Sequence, residues 1–203
     1  DKVAPVCREL KERYPTFRHL DIGGGLGIQY TPDQQELDPR EFAAAVVPTL
    51  KELGLQVILE PGRFLTGNAG VLIAEVQYVK DNAFKPFVVV DAAMNDLIRP
   101  ALYQAYHGIL PVAQTEDSLQ GDVVGPVCES GDFLAQDRAI PASKSGDLLA
   151  IMSAGAYAFA MASNYNSRGR PAEVMVQGRD AKLVRERESW DELFAGEQIP
   201  DWT

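Results

Sequence analysis

Histidine and cysteine are scarce: His19, His107, Cys7 and Cys128 are the whole supply in 203 residues. None falls in a C-x-x-C or Cys/His cluster, so no metal site is expected. So few cysteines also argue against a disulfide framework and for a reducing, cytoplasmic setting. No run of about 18 apolar residues occurs, so no helical membrane span is expected, and no basic-then-apolar signal segment opens the chain. Positive charge is short as well: 19 Lys and Arg against 29 Asp and Glu leave a formal charge of −10. A surface of that sign repels a phosphate polymer, which makes nucleic acid a poor partner. Neither a P-loop Gly-Lys-Ser/Thr nor a G-x-G-x-x-G fingerprint is present. The chain begins at Asp1 rather than Met, inside what reads as a helix, and this points to a piece of a longer protein.

What is there reads as an ordinary globular composition, 46% hydrophobic and 24% charged. Apolar residues at Val3, Val6, Leu10 and Tyr14 have helical spacing, and Pro15 stops that helix. Residues 17–22 read as a short strand ending in Gly23-Gly24-Gly25. Residues 39–53 read as a helix with Asp38 as N-cap, Pro39 at its first position and Gly54 at its end. Residues 55–59 read as a second strand, ending in Glu60-Pro61-Gly62-Arg63. This alternation predicts parallel strands with crossover helices. From residue 70 the pattern changes to strands at 71–80, 86–90, 122–127, 133–140, 148–151, 172–177 and 181–184, punctuated by turn residues. Short helices are expected at 97–106 and 155–163, and a helical turn at Trp190, Leu193 and Phe194 packing on the strands. The fold class is therefore α/β plus all-β. Residues 1–68 read as the last βα units of a (β/α)8 barrel, because two such strands alone leave open edges. Residues 69–203 read as an antiparallel β-sandwich or barrel, with the boundary near 66–72.

Two loops stand out because both follow strands, where α/β barrels carry chemistry. Successive glycines let backbone N–H groups crowd round an anion, since no Cβ blocks the approach. A tight turn is the competing reading. In Glu60-Pro61-Gly62-Arg63 a carboxylate and a guanidinium lie three apart, and they either pair locally or serve a ligand. Taken together, a phosphate cradle beside a carboxylate suits pyridoxal phosphate, whose ring nitrogen needs a carboxylate to hold its proton.

The residues then carry a resemblance. Segments 20–27 (LDIGGGLG), 60–63 (EPGR), 91–103 (DAAMNDLIRPALY), 128–132 (CESGD) and 155–176 (GAYAFAMASNYNSRGRPAEVMV) stand in the order seen in diaminopimelate decarboxylases. These enzymes resemble ornithine and arginine decarboxylases of the alanine-racemase-like fold. The resemblance implies that Gly23, Gly24 and Gly25 bind the phosphate, with Gly25 the direct contact. It implies that Glu60 partners the pyridine nitrogen, and that Gly62 and Arg63 lie near the phosphate, with Arg63 also reaching substrate. Arg99 and Tyr103 match the pair that grips the distal carboxylate of diaminopimelate. Cys128 matches the acid that reprotonates the substrate carbon, Glu129 the group recognising the distal ammonium, and Tyr157 a contact to both cofactor and substrate. A homodimer with shared sites follows, the 128–132 segment coming from the partner.

Each residue also has a plainer reading. Arg99 and Tyr103, four apart, can stack on the surface of a helix. Cys128 can be a small buried hydrophobe, although Glu129 and Asp132 beside it suit a proton donor. Small residues around Tyr157 admit a large group or allow close helix packing. His19 and His107 receive no catalytic role. The family's Schiff-base lysine has no counterpart: Lys2, Lys11, Lys51, Lys80, Lys85, Lys144 and Lys182 all lack its context, so the chain by itself is expected to be inactive. The alternatives are a decarboxylase for ornithine, arginine or carboxynorspermidine, and a silent regulatory homologue of the same fold.

Overall fold

The computed structural model describes residues 2–202. The chain divides into two compact units, one running to Gly67 and the other from Asn68. In the first unit the order is α1 (Val3–Arg13), β1 (His19–Asp21), α2 (Pro39–Leu53), β2 (Gln56–Ile58) and α3 (Gly62–Thr66). Strands β1 and β2 pair in parallel, His19 opposite Gln56 and Asp21 opposite Ile58. Helix α2 has the ends its sequence dictates. The Asp38 carboxylate accepts from the Arg40 N–H at 2.7 Å, and Gly54 takes a left-handed φ of 57°.

Helix α1 forms where expected but buries a different face. Val3 and Val6 are exposed, and the buried residues are Ala4 and Cys7, packed with Leu53 and flanked by Phe17, Leu20 and Leu55. Small side chains on the inner face let the helix approach closely, and the Lys11 ammonium donates to the Leu53 carbonyl at 2.6 Å. This core is small.

The second unit holds β3 (Leu72–Lys80), β4 (Phe87–Val90), α4 (Arg99–Tyr103), β5 (Ile109–Pro111), β6 (Ser118–Val124), β7 (Phe133–Pro141), β8 (Leu148–Ile151), β9 (Glu173–Gln177), β10 (Asp180–Arg185) and α5 (Trp190–Phe194). Six strands form one sheet in the order β5-β8-β3-β4-β6-β7. Its edge strands β5 and β7 come into contact, so the sheet curls into a nearly closed barrel. The expectation of a purely antiparallel domain is corrected: β4 and β6 run parallel, Val88 opposite Val123. The long excursion through α4 and β5 makes that parallel return possible. Alternation sets the core. Ala74 and Val76 of β3, Val88 and Val90 of β4, Val123, Leu134, Ile140, Leu149 and Ile151 all point inward, around Leu97 and Ile109. Burying one such aliphatic side chain is worth roughly 1.5–3 kcal/mol.

Further expectations need correction. The strand expected at 122–127 begins at Ser118 and stops at Val124, because Gly125 is packed against the Asp132 carboxylate. The helix expected at 97–106 shrinks to α4, ended by Gln104 in a left-handed conformation at φ 51°. Residues 155–163 form turns and one 3-10 turn, Phe159–Met161, because Tyr157 itself has φ 58°. Helix α5 has a Ser189/Glu192 capping box, but Trp190 is 76% exposed and Phe194 is exposed too, so the turn does not bury them on the strands.

Candidate active site

In the first unit the two strand-end loops are locked together. The Glu60 N–H donates to the Gly23 carbonyl at 2.9 Å, extending the pairing of Ile22 N–H to the Ile58 carbonyl. The Gly23 N–H is taken by the Asp21 carboxylate at 2.7 Å, so Gly23 is pinned from both sides. A Cβ at Gly24 would collide with the Glu60 carbonyl, so only glycine lets these backbones meet. Gly23 and Gly25 have φ of 70° and 78°, and a Cβ on either would touch nothing within 4 Å. The Glu60 side chain is exposed, and so is Gly62, which opens α3. Arg63, on α3, borders a groove of about 650 Å3 with Gly27, Ile28 and Tyr30. The structure thus brings Gly23, Gly24 and Glu60 together and sets Arg63 one turn further on.

In the second unit Arg99 is only 8% exposed, whereas Tyr103 is 61% exposed, which overturns the reading of the pair as a surface stack. The Arg99 guanidinium lies 5.7 Å from the centre of the Tyr157 ring and 3.1 Å from His107 Nε2. Tyr157 reaches that place with φ 58°, a strained value for an aromatic residue of the kind that gathers at functional sites.

Cys128 is exposed and Cys7 is the buried cysteine, so Cys128 is no core hydrophobe. It rides on the connection between β6 and β7, which Asp132 fastens. The buried Asp132 carboxylate accepts from the Val127 N–H at 2.6 Å and from the Met94 N–H at 2.7 Å. Burial pushes this carboxyl above its ordinary range, against the pull of those two amides. The 91–103 and 128–132 segments are joined by this one side chain, and a Cβ at Gly131 would come within 3.8 Å of Ala101 Cβ on α4. At the loop tip the Tyr165 hydroxyl donates to Glu129 at 3.3 Å. Arg168 braces the other side, donating from Nε to the Asn95 side-chain oxygen Oδ1 at 2.9 Å and from Nη2 to the Asp91 backbone carbonyl at 2.6 Å.

The residues present fit a phosphorylated pyridine ring. Gly25, with open space at a positive φ, and a glutamate whose backbone is bonded to the same turn are groups that could hold a phosphate and a ring N–H. Residues 11–155 match the family described as pyridoxal-dependent decarboxylase, C-terminal sheet domain.

The chain belongs to the pyridoxal-dependent decarboxylases.

Within that family it is similar to a diaminopimelate decarboxylase of Aquifex aeolicus, 49% identical over 192 residues that make up 94% of this chain and 46% of the relative. It is also similar to the crystal structure of diaminopimelate decarboxylase from M. jannaschii, with a TM-score of 0.92 and 38% identity over 98% of this chain and 47% of that one. The diaminopimelate decarboxylase of Helicobacter pylori complexed with L-lysine matches with a TM-score of 0.88 and 39% identity, over 96% of this chain and 48% of that one. The chain spans about half the length of the curated relatives it matches. The contacts that sequence reasoning missed are those of His107 with Arg99, of Asp132 with Met94 and Val127, of Tyr165 with Glu129 and of Arg168 with Asn95. Their signal lies in long-range contacts, which local spacing does not carry.

Proposed function

We propose that this chain supplies part of the active site of a diaminopimelate decarboxylase that makes L-lysine. The observation that carries this is the lock between the glycine turn and Glu60, two strand ends joined by a backbone hydrogen bond of 2.9 Å. Pyridoxal 5'-phosphate, once bound, supplies an electron sink for the bond broken when carbon dioxide leaves. The backbone amides of Gly24 and Gly25 bind its phosphate beside Gly23, with Gly62 and Arg63 on the same side. The Glu60 carboxylate holds the proton on the ring nitrogen. Tyr157 bounds the cofactor and substrate space. Arg99 pairs with the distal carboxylate through its planar fork and Tyr103 adds a phenol donor. Glu129 takes the distal ammonium, and the Cys128 thiol delivers a proton to the carbon that lost its carboxylate.

The first unit, with its parallel β1–β2 pair and functional loops at strand ends, completes a (β/α)8 barrel. Cys128 and Glu129 sit exposed on a loop tip, which suits delivery into the site of a second copy in a homodimer. None of the seven lysines of the 203-residue chain has the context of the family's cofactor-holding lysine, and the chain on its own is expected to release no carbon dioxide from diaminopimelate.

The test is carbon dioxide release from diaminopimelate, ornithine and arginine by the native polypeptide that carries this sequence. Diaminopimelate is the expected substrate. Arg99→Ala raises its KM roughly 10- to 100-fold, the loss of a charged hydrogen-bond pair, while ornithine turnover changes little. No turnover of diaminopimelate would overturn the reaction, and equal losses on both substrates would overturn the role of Arg99.

A further inference from the structure

His107 has no place in the chemistry above, yet it is fully buried beside a residue that does. Its position follows from the chain path. Helix α4 runs from Arg99 to Tyr103, and Gln104 after it, with a left-handed φ of 51°, turns the chain back. Three residues later His107 faces the guanidinium eight positions before it, with 3.1 Å between Arg99 Nη1 and His107 Nε2. The far side of the ring is fixed too: Nδ1 lies 2.8 Å from the Met152 carbonyl. The next residues are held by the Met152 N–H to Gly108 carbonyl bond at 2.8 Å and by the pairing of β5 with β8. The ring therefore stands on the barrel wall.

The partners decide the protonation state. A carbonyl oxygen only accepts, so Nδ1 must carry a hydrogen. A guanidinium only donates, so Nε2 must offer its lone pair. The imidazole is thus neutral with its proton on Nδ1. Burial first, then the charges of Arg99 on α4 and Arg138 on β7, hold the ring below its ordinary pKa. Arg138 adds to the same cluster by donating to the His107 carbonyl and stacking 4.1 Å from the centre of the Tyr106 ring.

We propose that His107 is the positioning residue for Arg99: its unprotonated Nε2 accepts one guanidinium hydrogen and so sets the direction in which the guanidinium meets the substrate's distal carboxylate. This rests on the reading of Arg99 as the carboxylate-binding residue. A histidine does this better than a carboxylate would, because an anion there would pair with Arg99 and compete with the substrate. Neutral acceptance orients the cation without placing an anion beside it. Specificity for a carboxylate-bearing substrate would then depend on a residue that never touches it.

Three substitutions separate this role from a merely structural one. In the native polypeptide, His107→Leu keeps the volume and removes the acceptor, and it is expected to raise KM for diaminopimelate about tenfold with kcat within about twofold, the equivalent of one hydrogen bond. His107→Gln places an amide oxygen near the Nε2 position and is expected to bring KM back to within about threefold of the original. His107→Asn can donate to the Met152 carbonyl, does not reach Arg99, and is expected to behave like the leucine variant. Unchanged KM in the leucine variant, or equal effects of Gln and Asn, would overturn the proposal. Should the variants fold poorly, nitrogen NMR of the labelled imidazole in the unsubstituted protein decides. An Nδ1–H tautomer that persists from about pH 8 to about pH 6 supports it, and an Nε2–H tautomer or a charged ring at neutral pH overturns it. That spectrum does not depend on turnover, so a protein inactive on diaminopimelate would sink the proposed reaction while this arrangement was still judged on its own.

Discussion

Backbone pairing arranges the candidate site of the first unit, and buried side chains such as Arg99, His107 and Asp132 arrange that of the second. Among the described residues every buried polar or charged side chain lies in the second unit: Asn95, Asp96, Arg99, His107, Asp122, Asp132 and Ser153. The first unit has a small core around Ala4, Cys7 and Leu53, while the second packs a continuous barrel core from Ala74 to Ile151. Buried charges need a rigid, low-dielectric frame with every hydrogen bond met, and only the larger core provides one. A glycine turn needs only two strands in register. The difference teaches where substitutions hurt: through lost packing and broken networks in the second unit, and through backbone collisions in the first.

The largest effect that separates the two is on packing. Leu149→Ala, inside the barrel, is expected to cost about 3 kcal/mol, whereas Val57→Ala on the exposed part of β2 is expected to cost less than about 1 kcal/mol. Urea unfolding of each variant measures this, and equal losses would break the comparison. Next comes Asp132→Ala, which strands the Met94 and Val127 amides. About 2 kcal/mol of destabilisation is expected, with faster hydrogen exchange at those two amides, and normal exchange there would show that the clamp is unimportant.

A smaller effect is read through pH. His107 sits below its ordinary value of 6.5, so beneath that pH the unfolded chain takes a proton that the folded chain refuses. Stability of the second unit should therefore fall as pH drops below about 6.5, and His107→Gln should flatten that slope. Asp96 and Asp132 are raised by burial and work in the opposite sense at lower pH. Their contribution is complete below the ordinary carboxyl value of 3.8 and is lost as pH rises through their folded values. The smallest effect is Trp190→Ala on α5: the side chain is exposed, so a change under about 0.5 kcal/mol is expected in the same unfolding assay.

Much of this was legible in the sequence, for reasons particular residues make clear. Asp38, Pro39 and Gly54 marked α2 because caps are local chemistry. Gly23-Gly24-Gly25 and Glu60 marked the strand ends because glycine in such a run has few other uses. Alternation exposed β3, where Ala74 and Val76 face the core. What stayed hidden depends on distant partners. Strand β5 has three residues and exists because β8 pairs with it, and the parallel match of β4 with β6 is set by the intervening excursion. The face of α1 follows small residues rather than large ones. His107 could be read only once Gln104 had turned the chain and Met152 had taken its Nδ1.

The central claim is that the glycine turn and Glu60 together hold a phosphorylated pyridine, and phosphorus NMR of pyridoxal 5'-phosphate with the native polypeptide tests it most directly. Gly24→Ala, which drives a Cβ into the Glu60 carbonyl, should abolish the bound phosphate signal, while Cys128→Ser should leave it in place. Undiminished binding in the Gly24→Ala protein would contradict the claim.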